Sequence, residues 1–409
     1  MGNSFLDEEV VVERFDVVII GAGIIGLSVA RALKTHQPSI KILVCEKEAS
    51  AGLHASSRNS GVLHAGFYYS PESLKAKFCR DGNRQLREFI QKKNLPLLQI
   101  GKVVVTQSKE EEERLIKLFD RGIANGVNLE FLPAKELQKF EPLAVTHENF
   151  LWSPTTAVSD PRSVLIALVE DLTSVGVEIR CSSHVSNFSD SKAVLNGAEI
   201  SFKHIINTAG SQADRIAHEF DVGKNYSMLP FIGMYRYVEE VKLPLRTLVY
   251  PVPHTLNPFL GVHFTLTFNK LVKIGPTAIP VVGREQYKLM SKIDIADVKS
   301  TLHSSFALSK GSQHSLTEIA RSEFPKYSTK FLIRESSKLV PSASKVSGWK
   351  VKPPGIRSQL VNLQSGELVQ DFLVESGAHS THVLNAVSPG WTSALPFGDH
   401  VAVKVLGSL

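Results

Sequence analysis

The sequence predicts a mixed α/β and α+β fold. One lobe alternates strands and helices and is discontinuous in sequence. The other is built on a mostly antiparallel sheet. Three observations carry this. An apolar run at residues 17–20 (VVII) meets a glycine-rich turn that opens a helical stretch. A second strand-to-helix corner of small residues falls at 204–210 (HIINTAG). Residues 226–280 are rich in β-formers broken by Pro and Gly turns.

The first unit spans residues 15–46. Gly21, Gly23 and Gly26 follow the strand in the order G-x-G-x-x-G. Gly21 lets the chain turn sharply, Gly23 admits a pyrophosphate to the backbone, and Gly26 lets the helix pack close to the sheet. Leu27, Ala30 and Leu33 continue the helix, a second apolar run covers 42–44, and Glu46 follows, placed to accept from ribose hydroxyls. A glycine-rich turn without a ligand is the alternative. The strand before, the helix after and the acid about twenty residues on favour a Rossmann-like dinucleotide site.

Residues 71–94 carry Leu74, Phe78, Leu86 and Ile90 at helical spacing. Residues 98–107 read as a strand and 109–122 as a charged surface helix. A helix is expected at 162–176, a strand at 177–181, a hairpin at 193–206 and a helix at 211–218. Residues 286–320 read as helical, and 349–409 return to strand, turn and helix. The nucleotide lobe is therefore assigned to 15–94, 151–220 and 346–409. The second lobe takes 95–150 and 221–345, with the substrate site expected between the two.

The 409 residues suit two or three lobes at ~100–200 residues each. At 43% hydrophobic and 21% charged, an ordinary globular core can form. No apolar run is long enough to span a bilayer. The net charge of +6 suits an anionic cofactor and an anionic substrate. No basic stripe interleaved with aromatics argues for nucleic acid. Cys45, Cys79 and Cys181 are scattered, with no Cys/His cluster, so neither a disulfide framework nor a metal site is expected. A reducing, intracellular compartment follows, cytoplasmic or mitochondrial. Residues 1–14 lack a signal-peptide core and an ordinary presequence, and Leu6 breaks the myristoylation pattern that Gly2 would start.

Residues 55–69 (ASSRNSGVLHAGFYY) depart from a nicotinamide dehydrogenase. With the glycine fingerprint and the NTAG turn they resemble the FAD-dependent oxidoreductases of the D-amino-acid oxidase-like superfamily. Within it the chain is similar to the L-2-hydroxyglutarate dehydrogenase/oxidase family. The segments SLKAKFCRDGNR (73–84), TAGSQADRIA (208–217), YPVPHTLNPFLGVHFT (250–265), IGPTA (274–278), PPGIR (353–357) and NAVSPGWTSALPFG (385–398) carry the likeness in order. It implies FAD and the oxidation of L-2-hydroxyglutarate, or a close 2-hydroxy diacid, to 2-oxoglutarate. Ile232 stands where that family carries arginine, with Arg236 four residues on as a partial replacement. The family's SPA turn is SPG here.

The resemblance also implies cofactor contacts. At the pyrophosphate and ribose these are Gly21, Gly23, Ile24, Ile25, Gly26, Glu46 and Lys47. Ser57, Arg58, Asn59 and Ser60 follow along the pyrophosphate and ring, Val185 at adenine, and Ala209 and Gly210 where the NTAG corner approaches the same dinucleotide. Gly355, Gly390, Trp391 and Thr392 complete the ring site, where the last helix offers N–H donors.

Moving a hydride from C2 requires a base for the hydroxyl proton, and histidine suits it. His263 is the expected base, with a satisfied strand histidine as the plain alternative. His64 acts on substrate, bonds the ring, links to it covalently, or merely packs beneath it. Arg357, on a stiff Pro-Pro-Gly turn, is expected to grip a carboxylate, the alternative being a structural ion pair. Tyr69, Lys75 and Arg236 are further candidates. The electron acceptor stays open among oxygen, a quinone and a carrier protein, the second implying peripheral membrane contact. Amine or glycerol-3-phosphate oxidation on the same fold, and flavin binding without turnover, are the competing functions.

Overall fold

A computed structural model describes residues 12–253, 261–288, 293–311 and 316–409. The N-terminal stretch read for targeting signals, through residue 11, and residues 254–260 of the family-like segment lie outside them.

The strand Glu13–Ile20 lies inside an eight-stranded sheet, parallel to Ala198–Asn207 on one side and to Ile42–Cys45 on the other. Glu178–Arg180 extends the parallel run beyond Ile42–Cys45, and Ser380–Asn385 pairs parallel with the end of Ala198–Asn207. Strands this apolar suit a sheet covered on both faces. Three helices, Ile24–His36, Leu74–Lys92 and Gly390–Leu406, share one apolar cluster with this sheet. Glycines let them approach. A Cβ on Gly398 would lie 2.6 Å from the Ser28 backbone, and one on Gly82 only 2.1 Å from the Thr392 carbonyl oxygen.

A second eight-stranded sheet runs, in spatial order, 350–351, 236–239, 271–275, 263–266, 248–251, 102–105, 149–153 and 130–133. Its pairs are antiparallel except Leu248–Pro251 with Lys102–Val105. A smaller sheet pairs Tyr226–Gly233 along its length with Gly355–Asn362. This pairing stitches the C-terminal third to the middle of the chain and fixes where Arg357 stands.

Two local readings change. The single strand expected at 98–107 is two, Leu97–Leu98 and Lys102–Val105, in different sheets. Gly101 breaks it at φ +67, packed so closely under Trp152 that a Cβ would meet the indole at 1.9 Å. The helix expected from 286 starts only at Ile295, capped by the Asp294 carboxylate, and a second one covers Leu316–Glu323. At the expected start, the Gln286 side-chain oxygen instead accepts from the Val282 and Gly283 N–H groups, a local turn that competes with helix.

Candidate active site

The glycine corner is built as its spacing demands. Gly21 has φ +100, and a Cβ there would sit 2.7 Å from the Thr208 carbonyl oxygen. Gly26 does not line the cavity described next; its Cβ would meet the Gly21 carbonyl at 2.1 Å, so it serves the close packing of helix on strand. The Thr208 hydroxyl lies 2.8 Å from the Ile20 carbonyl and 3.1 Å from that of Gly21, tying the two strand-to-helix corners together. Glu46 is buried at the end of the neighbouring strand. Its two oxygens accept from the N–H groups of Ala22 and Glu48, both at 3.0 Å.

These groups open on a cavity of about 750 Å³. That is near the upper end of the ~300–1,000 Å³ usual for ligand sites, as an extended dinucleotide needs. Gly21, Gly23, Ile24, Ile25, Glu46 and Lys47 line it, as do Val185, Ala209 and Gly210. A Cβ on Gly210 or on Gly390 would meet nothing within 4 Å, so both backbones face open space. Arg58, Asn59, Ser60, Gly355, Gly390, Trp391 and Thr392 line it further along. The last helix starts without a side-chain cap, so its first N–H groups lack intrahelical partners, and the buried Trp391 Nε1 has none among the described residues. A cradle of open glycine backbone, an uncapped helix N-terminus and an orphaned indole donor fits an anionic, polar cofactor.

Ser57 is not part of this lining. The residue that is, Ser56, accepts from the Ile24 N–H at 2.9 Å. The irregular turn gives no periodicity by which sequence could choose between adjacent serines. Thr392 has a structural hold too: its hydroxyl accepts from the His64 N–H and donates to the Val62 carbonyl, fixing the segment that carries His64. Lys47 and Arg58 line the cavity with their charges already engaged. Lys47 pairs with Glu48 and Glu285, while Arg58 donates to the Leu53 carbonyl and stacks 4.1 Å over Tyr287.

His64, Tyr235, Tyr250, His263 and Arg357 gather at the other end of the same cavity. His263 begins the strand His263–Leu266 and is buried. Its Nδ1 lies 2.8 Å from the Gly261 carbonyl, which can only accept, so Nδ1 carries the proton and Nε2 keeps a lone pair. Burial pulls the His263 pKa down to about 3, with the Lys102 and Arg357 charges adding to the fall. His64 is held well below the usual histidine range, by burial first and then by Lys102, His263 and Arg357. Tyr250 stacks on His263 at 3.8 Å between ring centroids and meets His64 edge-on at 6.5 Å. Arg357 sits opposite Phe231 in the smaller sheet, its pKa lowered by burial and supported by the Tyr235 and Tyr69 phenols.

The remaining candidates separate. Tyr69 does not line the cavity; its ring stands 6.0 Å from the Lys75 ammonium, and burial raises its phenol pKa. Lys75 is also buried and outside the lining, its pKa lowered to about 8 by desolvation against the pull of Asp371. Arg236 does not replace the family's arginine at Ile232. It points into the fold, donating to the Thr329 hydroxyl at 2.7 Å and the Tyr327 carbonyl at 3.0 Å. Tyr235, Tyr250, Ser56 and Lys102 went unread in the sequence. Tyr250 lies inside the YPVP segment, and Lys102 interrupts an apolar run (KVVV), but neither feature names a site.

No helix among the described residues is long and apolar enough to cross a membrane. The family model for FAD dependent oxidoreductases matches residues 16–403. The L-2-hydroxyglutarate dehydrogenase of Escherichia coli K12 is 34% identical over 399 residues, spanning 96% of this chain and 93% of that protein. The mitochondrial L-2-hydroxyglutarate dehydrogenase of Homo sapiens is 32% identical, spanning 96% and 88%. Among solved structures, the L-alpha-glycerophosphate oxidase of Mycoplasma pneumoniae with FAD bound superposes with TM-score 0.72 at 23% identity, over 97% of this chain and 95% of that one. Glycine oxidase from Geobacillus kaustophilus gives 0.70 at 17% identity, over 97% and 96%. At these identities the structures speak for the shared fold.

Proposed function

The chain belongs to the FAD dependent oxidoreductases, in the branch of the L-2-hydroxyglutarate dehydrogenases, and from that premise we propose that it oxidises L-2-hydroxyglutarate to 2-oxoglutarate. One observation carries the reading: a buried histidine whose Nε2 keeps its lone pair and a half-buried arginine share a cavity with the dinucleotide corner.

FAD, when bound, supplies the acceptor for the C2 hydride. Its pyrophosphate would be held by Gly21, Gly23, Ile24 and Ile25, its ribose by Glu46, and its adenine end by Val185, Ala209 and Gly210. Gly355, Gly390, Trp391 and Thr392 would hold the ring end, where uncapped N–H groups and the Trp391 indole meet developing negative charge.

The protein's own part is proton transfer and alignment. His263 Nε2 takes the C2 hydroxyl proton, and the Gly261 carbonyl keeps the ring in the tautomer that can do so. Its depressed pKa keeps it unprotonated at neutral pH. Arg357 offers two donors to the C1 carboxylate and so orients C2. His64 and Tyr250 wall the pocket; Tyr250 stacks on His263 and holds it in place, and His64 meets Tyr250 edge-on.

The test is an anaerobic titration of the purified yellow protein with each enantiomer of 2-hydroxyglutarate. Stoichiometric flavin bleaching by the L form supports the reading. Bleaching by the D form alone, or only by glycine, sarcosine or glycerol-3-phosphate, removes it. Readmitting oxygen or a soluble quinone to the bleached protein then identifies the acceptor.

A further inference from the structure

Lys102 opens the strand Lys102–Val105 and is wholly buried, yet its Nζ has no hydrogen-bond partner among the described residues. Three rings surround it instead: Phe67 at 4.4 Å, Tyr68 at 4.5 Å and Tyr250 at 4.8 Å. Lys102 does not line the cavity, but Tyr250 does, and Tyr250 also stacks on His263. The amine therefore stands one ring behind the pocket wall. Such a cage tolerates a cation while giving it no anion.

Among the described residues, the groups that face it carry no negative charge. Cys79 comes from the helix Leu74–Lys92, its thiol pushed up to about 12 and hence neutral. Tyr68 and His64 come from the segment after strand 62–63, Tyr250 from Leu248–Pro251 and His263 from His263–Leu266. Arg357, from Gly355–Asn362, acts on the same two histidines. The acids that line the cavity are Glu46, Glu219 and Glu285, with Glu46 and Glu285 placed at its dinucleotide end.

A diacid brings two carboxylates, and Arg357 answers one. The other arginines and the lysine lining the cavity are engaged: Lys47 by Glu285, Arg215 by Asp297, Arg284 by Asp214, and Arg58 by backbone carbonyls. We propose that Lys102 is the buried counter-charge for the second carboxylate, acting through the Tyr250 wall without touching substrate and setting the preference for diacids over monoacids. This rests on the substrate reading above. Burial lowers the lysine to about 7, so the free protein holds amine and ammonium in comparable amounts. A dianion in the pocket favours the ammonium, so binding draws a proton from solvent. Uptake is largest just above the free pKa, at about pH 8, and fades below about pH 6, where the ammonium is already formed.

The experiment uses the FAD-loaded protein and two probes of equal chain length, 2-oxoglutarate and 2-oxopentanoate. Affinities are read from perturbation of flavin absorption, and protons from an indicator dye in weak buffer. Wild type should take up a proton with 2-oxoglutarate at about pH 8 and markedly less with 2-oxopentanoate. Lys102→Met, which keeps length and suits the aromatic cage, should abolish the uptake and weaken 2-oxoglutarate binding roughly ten- to thirty-fold. Its 2-oxopentanoate affinity should change by no more than about threefold. An unchanged affinity ratio in the variant, or equal loss for both probes, overturns the proposal. If the variant does not fold, absence of uptake by wild type overturns it alone. Should wild type bind 2-oxoglutarate normally while these signatures fail, only the Lys102 role falls. Should it bind neither 2-oxoglutarate nor L-2-hydroxyglutarate, the substrate reading falls with it.

Discussion

Replacing His263 by alanine tests the base assignment through two independent magnitudes. The first is the rate. A positioned general base contributes about 10²–10⁴-fold, which at ~1.4 kcal/mol per decade is roughly 3–5.5 kcal/mol of barrier. Flavin reduction by L-2-hydroxyglutarate in an anaerobic stopped-flow single turnover should slow by that factor, while flavin content stays unchanged. The second is the pH profile. A solvent-exposed histidine loses half its base form at about pH 6.5. Burial has moved His263 to about 3, so its neutral form persists through the acid range. The saturated reduction rate of wild type should therefore stay flat from about pH 9 down to about pH 4.5. In His263→Ala the residual rate should instead rise with pH, as hydroxide replaces the lost base. Proton uptake at Lys102 enters the binding constant and leaves the saturated rate level, so the two effects separate. A wild-type acid limb near pH 6.5, or a variant within threefold of wild type, refutes the assignment. A larger loss in His64→Ala than in His263→Ala would move the base to His64.

Arg357→Met removes the paired donors to the C1 carboxylate. At roughly 1.5–3 kcal/mol for hydrogen bonds to a charged group, 2-oxoglutarate affinity should fall about ten- to hundredfold by flavin difference spectra. Gly26→Val places a side chain where even a Cβ meets the Gly21 carbonyl at 2.1 Å, so the purified variant should carry little flavin by absorption ratio. Acid should destabilise the fold through neutral buried histidines. His204 and His382 are each pulled to about 4 by burial, and His263 to about 3. His382 Nδ1 accepts from the Asn207 amide and its Nε2 donates to the Ser380 hydroxyl, a pattern that protonation breaks. The unfolded chain takes up these protons below about pH 6.5 and the folded one does not, so stability is full above that pH and falls toward pH 4. Melting temperature should drop across that window, and less so in His382→Gln; an unchanged drop in that variant rejects His382 as a contributor.

What could be read from sequence was whatever one segment decides alone. The strand, the three glycines and Glu46 form one continuous unit, so its spacing was enough to place a dinucleotide. The corner at 204–210 was legible for the same reason, and Thr208 then ties it to the first corner across 188 residues. His263 and Arg357 stood out because they lie in two of the segments that carry the family likeness, 250–265 and 353–357. That they meet depends on two sheets sharing one cavity, which no local pattern encodes. Arg236 shows the converse. It sits four residues from the break at Ile232, but in a strand of the other sheet, where its donors reach Thr329 and Tyr327 inside the fold. Lys102 is the sharpest case. In a row of KVVV it reads as a strand-end lysine with its head in water, and only the packing of Phe67, Tyr68 and Tyr250 over it removes that water. Its chemistry therefore lies in the tertiary cage: the same residue in an exposed strand would be a soluble cation near its ordinary pKa, with no leverage on what binds beyond the wall.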